Sequence, residues 1–246
     1  QRYYFLRKNR TFVVSIDKIM KRVSIIIAAL LLIIPSVAVA QEDYHEATPY
    51  FKPEQMPDMR AFLPGPPAEG SIEMQYDEAK YLWGKQQRIS DPKAAEAAKA
   101  QSDNRISNLC KQFSDVFGVE ISAENTPQIY SLLRDAVITC VMTVIAPKDY
   151  YHRTRPFAYY KEATLMPDKE GYLQQNGSFP SGHTATSFMT ATMLHKEYGW
   201  RSPWFSIGGY TAAAVTGFSR IMNNKHWMTD VMAGAAIGIG SVHLGY

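Results

Sequence analysis

The chain reads as an all-α protein, a compact helical bundle behind an extended N-terminal arm, and three observations point that way. From Tyr76 onward apolar residues recur at three- and four-residue spacing. No strand-length alternating run competes with them. Prolines crowd the stretch 41–71, at positions 49, 53, 57, 64, 66 and 67, and then thin out. With 246 residues, 46% of them apolar and 20% charged, the chain is long enough to bury one core, so disorder is excluded. Its two cysteines exclude a disulfide framework.

The first forty residues carry an address rather than a fold. Met20-Lys21-Arg22 is a positively charged start, so residues 1–19 read as upstream sequence. Ile25 to Ile34 is an unbroken apolar run, and Val37-Ala38-Val39-Ala40 ends in small residues before Gln41. That run is far shorter than the roughly 20 residues a spanning helix needs. Residues 20–40 are therefore expected to be a signal peptide, giving a periplasmic or secreted protein with no stable membrane insertion after cleavage. Residues 1–40 together carry seven basic residues against one acidic. What remains is slightly acidic, which excludes a nucleic-acid surface of the usual basic kind. In an oxidising compartment Cys110 and Cys140 can pair or stay as core thiols, and the sequence leaves both open.

After the arm, 41–71, the all-α domain is expected over 72–246. Its first helix is expected from Tyr76 to Arg88 around Ala79, Leu82 and Trp83. Asp91-Pro92 opens a second, to Ala100, and Ser102 to Phe117 forms a third with Ile106, Leu109, Cys110 and Phe113 on one face. Thr126 caps a long core helix with Pro127 at its first position, and Pro147 is expected to stop it just before Lys148. A loop from Tyr150 to Phe179 follows. Helices are then expected over Gly182 to Tyr198, Pro203 to Gly217, and Lys225 to the end, the last two rich in Ala and Gly, as close packing permits. The chain stops soon after Asp230 with neither cap nor polar tail, so the end of the domain is left open, as is self-association.

Three clusters carry chemistry, each at a helix edge. In the first, Lys148 and Arg155-Pro156 offer two cations, and the planar fork of Arg155 can grip two oxygens of a tetrahedral anion. In the second, Gly177-Ser178-Phe179-Pro180-Ser181-Gly182-His183-Thr184, Ser181 can cap a helix. Gly182 lets backbone N–H groups approach a ligand at its positive N-terminus, and His183 sits in the first turn. The third is Ser219-Arg220, then His226, then Asp230. Four-residue helical spacing would put Asp230 on the same face as His226, where it could receive one imidazole N–H and leave the other nitrogen free to attack.

In this order and spacing the clusters resemble the signature of the phosphatidic acid phosphatase type 2 superfamily. With Pro66-Pro67-Ala68-Glu69-Gly70-Ser71 and the Gly177 to Thr184 stretch, the chain further resembles the class A bacterial non-specific acid phosphatases, over about Phe62 to Asp230. The resemblance implies a secreted, metal-independent enzyme without cofactors that hydrolyses phosphate monoesters through a phosphohistidine and releases inorganic phosphate. It implies His226 as nucleophile, Asp230 as its orienter and His183 as the acid for the leaving alcohol. Lys148, Arg155, Ser181, Gly182 and Arg220 would hold the phosphate. The stretch Ile221-Met222-Asn223-Asn224-Lys225 is more basic than the class A pattern, a departure that bears on substrate choice.

The residue types suit this chemistry on their own account. Phosphoryl transfer spreads negative charge over three oxygens, so preorganised cations and N–H donors supply most of the stabilisation. A histidine near its ordinary pKa of ~6.5 can donate a proton in mild acid while a second, neutral one attacks. Other readings of the same residues are a metal triad of His183, His226 and Asp230, which three nearby cations would oppose, and a phosphate-binding module without turnover. The vanadium haloperoxidases and the integral lipid phosphate or diphosphate phosphatases share the constellation.

Overall fold

The computed structural model describes residues 47–103, 105–165 and 175–245. The expected upstream segment, the signal peptide, the first residues of the arm and Tyr246 lie outside them. Among the described residues the regular structure is helical, with no strand.

Helix α1 (Ile72–Ser90) begins earlier than Tyr76, because the Ser71 hydroxyl accepts the Met74 N–H at 3.1 Å. Its buried face is not the expected one. Leu82 and Trp83 are exposed, and the helix instead turns Met74, Asp77, Tyr81 and Gly84 inward. Tyr81 stacks on Tyr160 at 4.1 Å between centroids, and Asp77 meets polar partners described below. Helix α2 (Pro92–Ala100) starts as expected, with Asp91 capping the Ala94 N–H at 3.0 Å and Pro92 at the first position. Helix α3 (Ile106–Phe117) starts later than Ser102. The Asp103 carboxylate accepts the Arg105 N–H and its Nε, a local turn that competes with the helix and leaves Ser102 in the connection. Gly118, at φ 65°, ends it in the left-handed conformation.

Helix α4 (Pro127–Tyr151) departs from expectation at both ends. The Thr126 hydroxyl makes no cap bond and donates to the Glu120 carbonyl at 3.1 Å. Pro147 does not stop the helix but lies inside it, buried beside Met59 and Leu63 of the arm. A proline removes one backbone bond, and packing on both sides of it holds the rest. The chain leaves the helix at His152, whose φ of 45° is left-handed and whose N–H closes on the Lys148 carbonyl at 3.2 Å. Lys148 therefore sits on the last turn, not beyond it.

The expected loop contains a short helix, α5 (Pro156–Tyr159). Helix α6 (Gly182–Tyr198) matches expectation. Helix α7 (Pro203–Met222) runs past Gly217 to carry Arg220, and α8 (Met228–Gly245) starts after His226. Gly217 is a packing residue, since a Cβ there would lie 2.8 Å from Val231 Cγ1.

The most extensive packing is of α7 and α8 on α6, with α4 also against α6 and α1, α2 and α3 covering α7. The core holds Phe113, Leu133, Cys140, Ala185, Met189, Ala213 and Ile237. Cys110 and Cys140 are separate buried thiols in it. Helices α6 and α8 touch through backbone. A Cβ on Gly234 would stand 2.4 Å from the Ser181 carbonyl oxygen, and one on Gly238 2.2 Å from that of Ala185. The described part of the arm, with single 3₁₀ turns at Pro53–Gln55 and Met59–Ala61, fastens to α4: Tyr50 N–H donates to Thr139 Oγ1 at 2.9 Å, and Tyr50 Oη to the Leu132 carbonyl at 3.1 Å. One described stretch, Pro127–Tyr159, is long and apolar enough to cross a membrane, and its Leu133, Val137, Cys140 and Val144 are buried in the core.

Candidate active site

The three sequence clusters converge. Lys148 arrives on the last turn of α4 and Arg155 just before α5. Ser181, Gly182 and His183 stand at the N-terminus of α6, Arg220 on the last turn of α7, and His226 and Asp230 at the start of α8.

His226 is 3% exposed, and its neighbours fix its tautomer. Nδ1 lies 2.7 Å from the Ser178 carbonyl, which can only accept, so Nδ1 carries the hydrogen. Nε2 lies 3.0 Å from Arg155 Nη1, which can only donate, so Nε2 is the lone-pair nitrogen. Arg155 also donates to the Lys225 carbonyl at 3.0 Å, holding its fork across the basic face of the imidazole. The helical His226–Asp230 pairing expected from spacing is not what the fold builds. His226 precedes α8, and Asp230 Oδ2 stands 3.6 Å from Nδ1, beyond hydrogen-bonding range. Asp230 acts one residue removed: its Oδ2 accepts from Ser178 Oγ at 2.5 Å and from the Trp227 N–H at 2.8 Å, and its Oδ1 from Arg153 Nη1 at 2.6 Å. Ser178 thus stands between the carboxylate and the ring.

His183 donates from Nε2 to the Ser102 carbonyl at 3.1 Å, so in the neutral ring Nδ1 holds the lone pair. Ser102 is a hub that sequence reasoning missed. Its hydroxyl oxygen also receives Arg220 Nη1 at 2.8 Å and Asn223 Nδ2 at 2.6 Å. Lys148 Nζ donates to the carbonyls of Gly177 and Pro180, both at 2.6 Å, which locks the loop before α6. The Ser181 hydroxyl caps α6, accepting from Thr184 Oγ1 at 2.9 Å and more weakly from its N–H, and the Ser181 N–H donates to the Asp230 carbonyl at 3.0 Å. At Gly182 a Cβ would meet only Val144, at an ordinary 3.6 Å, so packing does not claim that space. Lys225, the basic departure, is buried, with Nζ 4.9 Å above the Phe157 ring.

Burial and mutual repulsion shape the charges. Burial, and then Arg155, push the Lys148 ammonium down to about 7. Both imidazoles are held well below the ordinary histidine range, again first by burial. Arg220 is the next cause for His183, and Arg155 and Lys148 for His226. The ordinary pKa expected for the acid histidine is thus corrected: burial first, and the neighbouring cations after it, disfavour the charged form of both rings. A dianion among those cations reverses this and favours a proton on His183. As for a metal, the Asp230 oxygens are taken by Ser178, Trp227 and Arg153, and among the described residues no three His, Cys, Asp or Glu side chains gather as a ligand set.

Comparisons with known proteins place the chain among phosphatases. Residues 128–246 match the model of the PAP2 superfamily. The chain is 30% identical over 210 residues to a non-specific acid phosphatase of Salmonella typhimurium, covering 85% of this chain and 82% of that one. A stretch of 87 residues, 35% of this chain, is 62% identical to a lipid A 1-phosphatase of Porphyromonas gingivalis, of which it spans 19%. Among solved structures, a transmembrane PAP2-type phosphatidylglycerolphosphate phosphatase from Bacillus subtilis superposes with a TM-score of 0.50 at 19% identity, over 71% of this chain and 85% of that one.

Proposed function

This chain belongs to the PAP2 superfamily, a phosphatase superfamily, and from that premise we propose that it is an extracytoplasmic acid phosphatase hydrolysing phosphate monoesters through a phosphohistidine at His226. The observation that carries this reading is the fixed tautomer of His226, whose lone-pair nitrogen faces the Arg155 fork. In it, Lys148, Arg155, Arg220 and the N-terminus of α6 take the three phosphoryl oxygens. Nε2 attacks phosphorus, the bond to the ester oxygen breaks, and His183 Nδ1 gives its proton to the leaving alkoxide. Water then attacks the phosphohistidine and returns a proton to His183, and phosphate leaves with His226 neutral again. Export rests on the charged start, apolar run and small-residue end of residues 20–40.

The test is phosphate release from aryl, sugar and nucleotide monoesters by the chain beginning at Gln41, with and without EDTA. Activity should survive the chelator and be inhibited by vanadate, which mimics the five-coordinate transition state. Loss in EDTA that zinc or magnesium restores would refute the mechanism. The stretch 62% identical to a lipid A 1-phosphatase supports a second reading, an amphiphilic phosphate ester as substrate. A phosphorylated glycolipid in the same panel decides it, by whether its kcat/KM exceeds that of the soluble esters.

A pH dependence follows from Lys148. Its charge in the free site is lost as pH rises through about 7, so above that point a dianion can bind among three cations only by taking up a proton at Lys148. Inhibition by sulfate, a dianion at every pH used, should weaken about tenfold per pH unit above that point, the slope of one linked proton. A constant unchanged from pH 6 to 9 would contradict this, and Lys148→Met should flatten the profile. For folding the sign is opposite. The unfolded chain keeps this proton up to about 10.5, so Lys148 costs stability below pH about 7 and the cost fades as pH climbs between the two values.

A further inference from the structure

Asp77 and Arg153 belong to none of the motifs, yet they stand directly behind Asp230. Asp77 is fully buried on α1. Its Oδ2 accepts from Arg153 Nη2 at 2.7 Å and from Thr229 Oγ1 at 2.5 Å, and its Oδ1 from the Thr229 N–H at 2.8 Å. The other arm of the guanidinium, Nη1, donates to Asp230 Oδ1 at 2.6 Å and to Thr229 Oγ1 at 2.7 Å. Arg153 also lies 5.3 Å from the Trp227 ring, and its carbonyl accepts the Ser178 N–H at 3.0 Å. One residue, Arg153, therefore fixes the carboxylate of Asp230 through its guanidinium and the backbone of Ser178 through its carbonyl.

Charge makes the arrangement more than a fastening. Arg153 alone would neutralise Asp230 and leave only a dipole, with no net charge, behind the imidazole. Asp77 on the second arm restores one net negative charge behind the ring. Burying two carboxylates and a guanidinium is a poor way to join α1 to α8, because desolvation opposes the attraction. We propose that the Asp77–Arg153 pair is a positioning device for the nucleophile, holding Asp230 and Ser178 in register with His226 and keeping a net negative charge behind it. This rests on His226 being the residue phosphorylated.

Phosphorylation at Nε2, with Nδ1 still protonated, turns a neutral ring into a cationic one, and dephosphorylation reverses that. A negative charge behind the ring must therefore speed formation of the phosphoenzyme and slow its breakdown. Rapid-quench kinetics on p-nitrophenyl phosphate read both constants. Asp77→Asn should slow formation on the order of tenfold and quicken breakdown several-fold, with the dissociation constant of the Michaelis complex little changed, and Asp77→Glu should restore part of both. A purely structural role would reduce the active fraction and leave the two constants alone. Unchanged constants in folded Asp77→Asn, or constants that fall together, would overturn the proposal. If Asp77→Asn does not fold, Thr229→Val, which removes the hydroxyl shared by Asp77 and Arg153, should give the same opposed pair of changes at smaller size. Unchanged constants there, or failure of both variants to fold, would leave only a fastening and defeat it. Absence of trapped phosphohistidine in the unaltered protein is a different outcome: it defeats the catalytic reading itself, and this inference with it.

Discussion

His226→Ala should abolish phosphoenzyme formation and lower turnover by on the order of 10⁴-fold or more on every ester, activated or not. The expectation comes from what the ring's neighbours leave available. Nδ1 is committed to Ser178 and Nε2 faces Arg155, so no other lone pair is presented to the anion site in this way. His183 cannot substitute, because its Nε2 hydrogen is bound to Ser102 and its Nδ1 is needed for the leaving group. Some stability should be lost as well, about 1–3 kcal/mol, since alanine leaves the buried Ser178 carbonyl without this donor while Arg155 keeps its bond to the Lys225 carbonyl. Acid-quench trapping with p-nitrophenyl phosphate is the measurement. Trapped phosphohistidine in the His226→Ala protein would reverse the assignment.

His183→Ala should give a loss that depends on the leaving group, ~10²–10⁴-fold for alkyl phosphates and much less for p-nitrophenyl phosphate, whose phenolate leaves without a proton. The pH profile carries a second signature. In the free enzyme burial and Arg220 hold His183 neutral in mild acid, so the proton it donates must arrive with the substrate's negative charge. Raising the pH removes that proton from the complex. Turnover of alkyl phosphates should therefore fall on the alkaline side in the unaltered protein, and this limb should vanish in His183→Ala. Equal losses on both substrate classes would remove the leaving-group role.

The residues that reach the anion site were legible in sequence because each sits at a helix edge at a fixed spacing from a recognisable neighbour. Arg155 precedes a proline, His183 follows a Ser-Gly cap, and Arg220 lies just past the expected helix end at Gly217. What supports them was not legible, because tertiary contact alone brings it in. Asp77 and Thr229 are 152 positions apart, and Ser102 meets Arg220 across 118. One signal for Asp77 is present, a carboxylate at helical spacing between Met74 and Tyr81, but the bulkier apolar pair Leu82 and Trp83 lies on the side of α1 that stays exposed. Likewise the spacing of His226 and Asp230 suggested a helical pair, whereas the turn at Asn223 and Asn224, with Asn224 at φ 63°, keeps His226 out of α8 and interposes Ser178. At Pro147 propensity was overruled by packing, and Lys148 gained a helical seat from it.

The backbone contacts of Gly234 with Ser181 and of Gly238 with Ala185 bear on which parts of the site can move. Sliding α8 by a single residue along α6 would advance it about 1.5 Å and turn it through roughly 100°, swinging Ala233 or Ala235 toward a carbonyl that has no room for a methyl group. The two helices are thus geared in one register. One of them carries His183 in its first turn, and the other begins two residues after His226 and bears Asp230, so His183 and Asp230 ride on a single rigid frame. In the proposed reaction, adjustment to substrates of different bulk would then fall to Lys148 and Arg155, at the end of α4 and in the turn after it, rather than to the helices that carry His183 and Asp230.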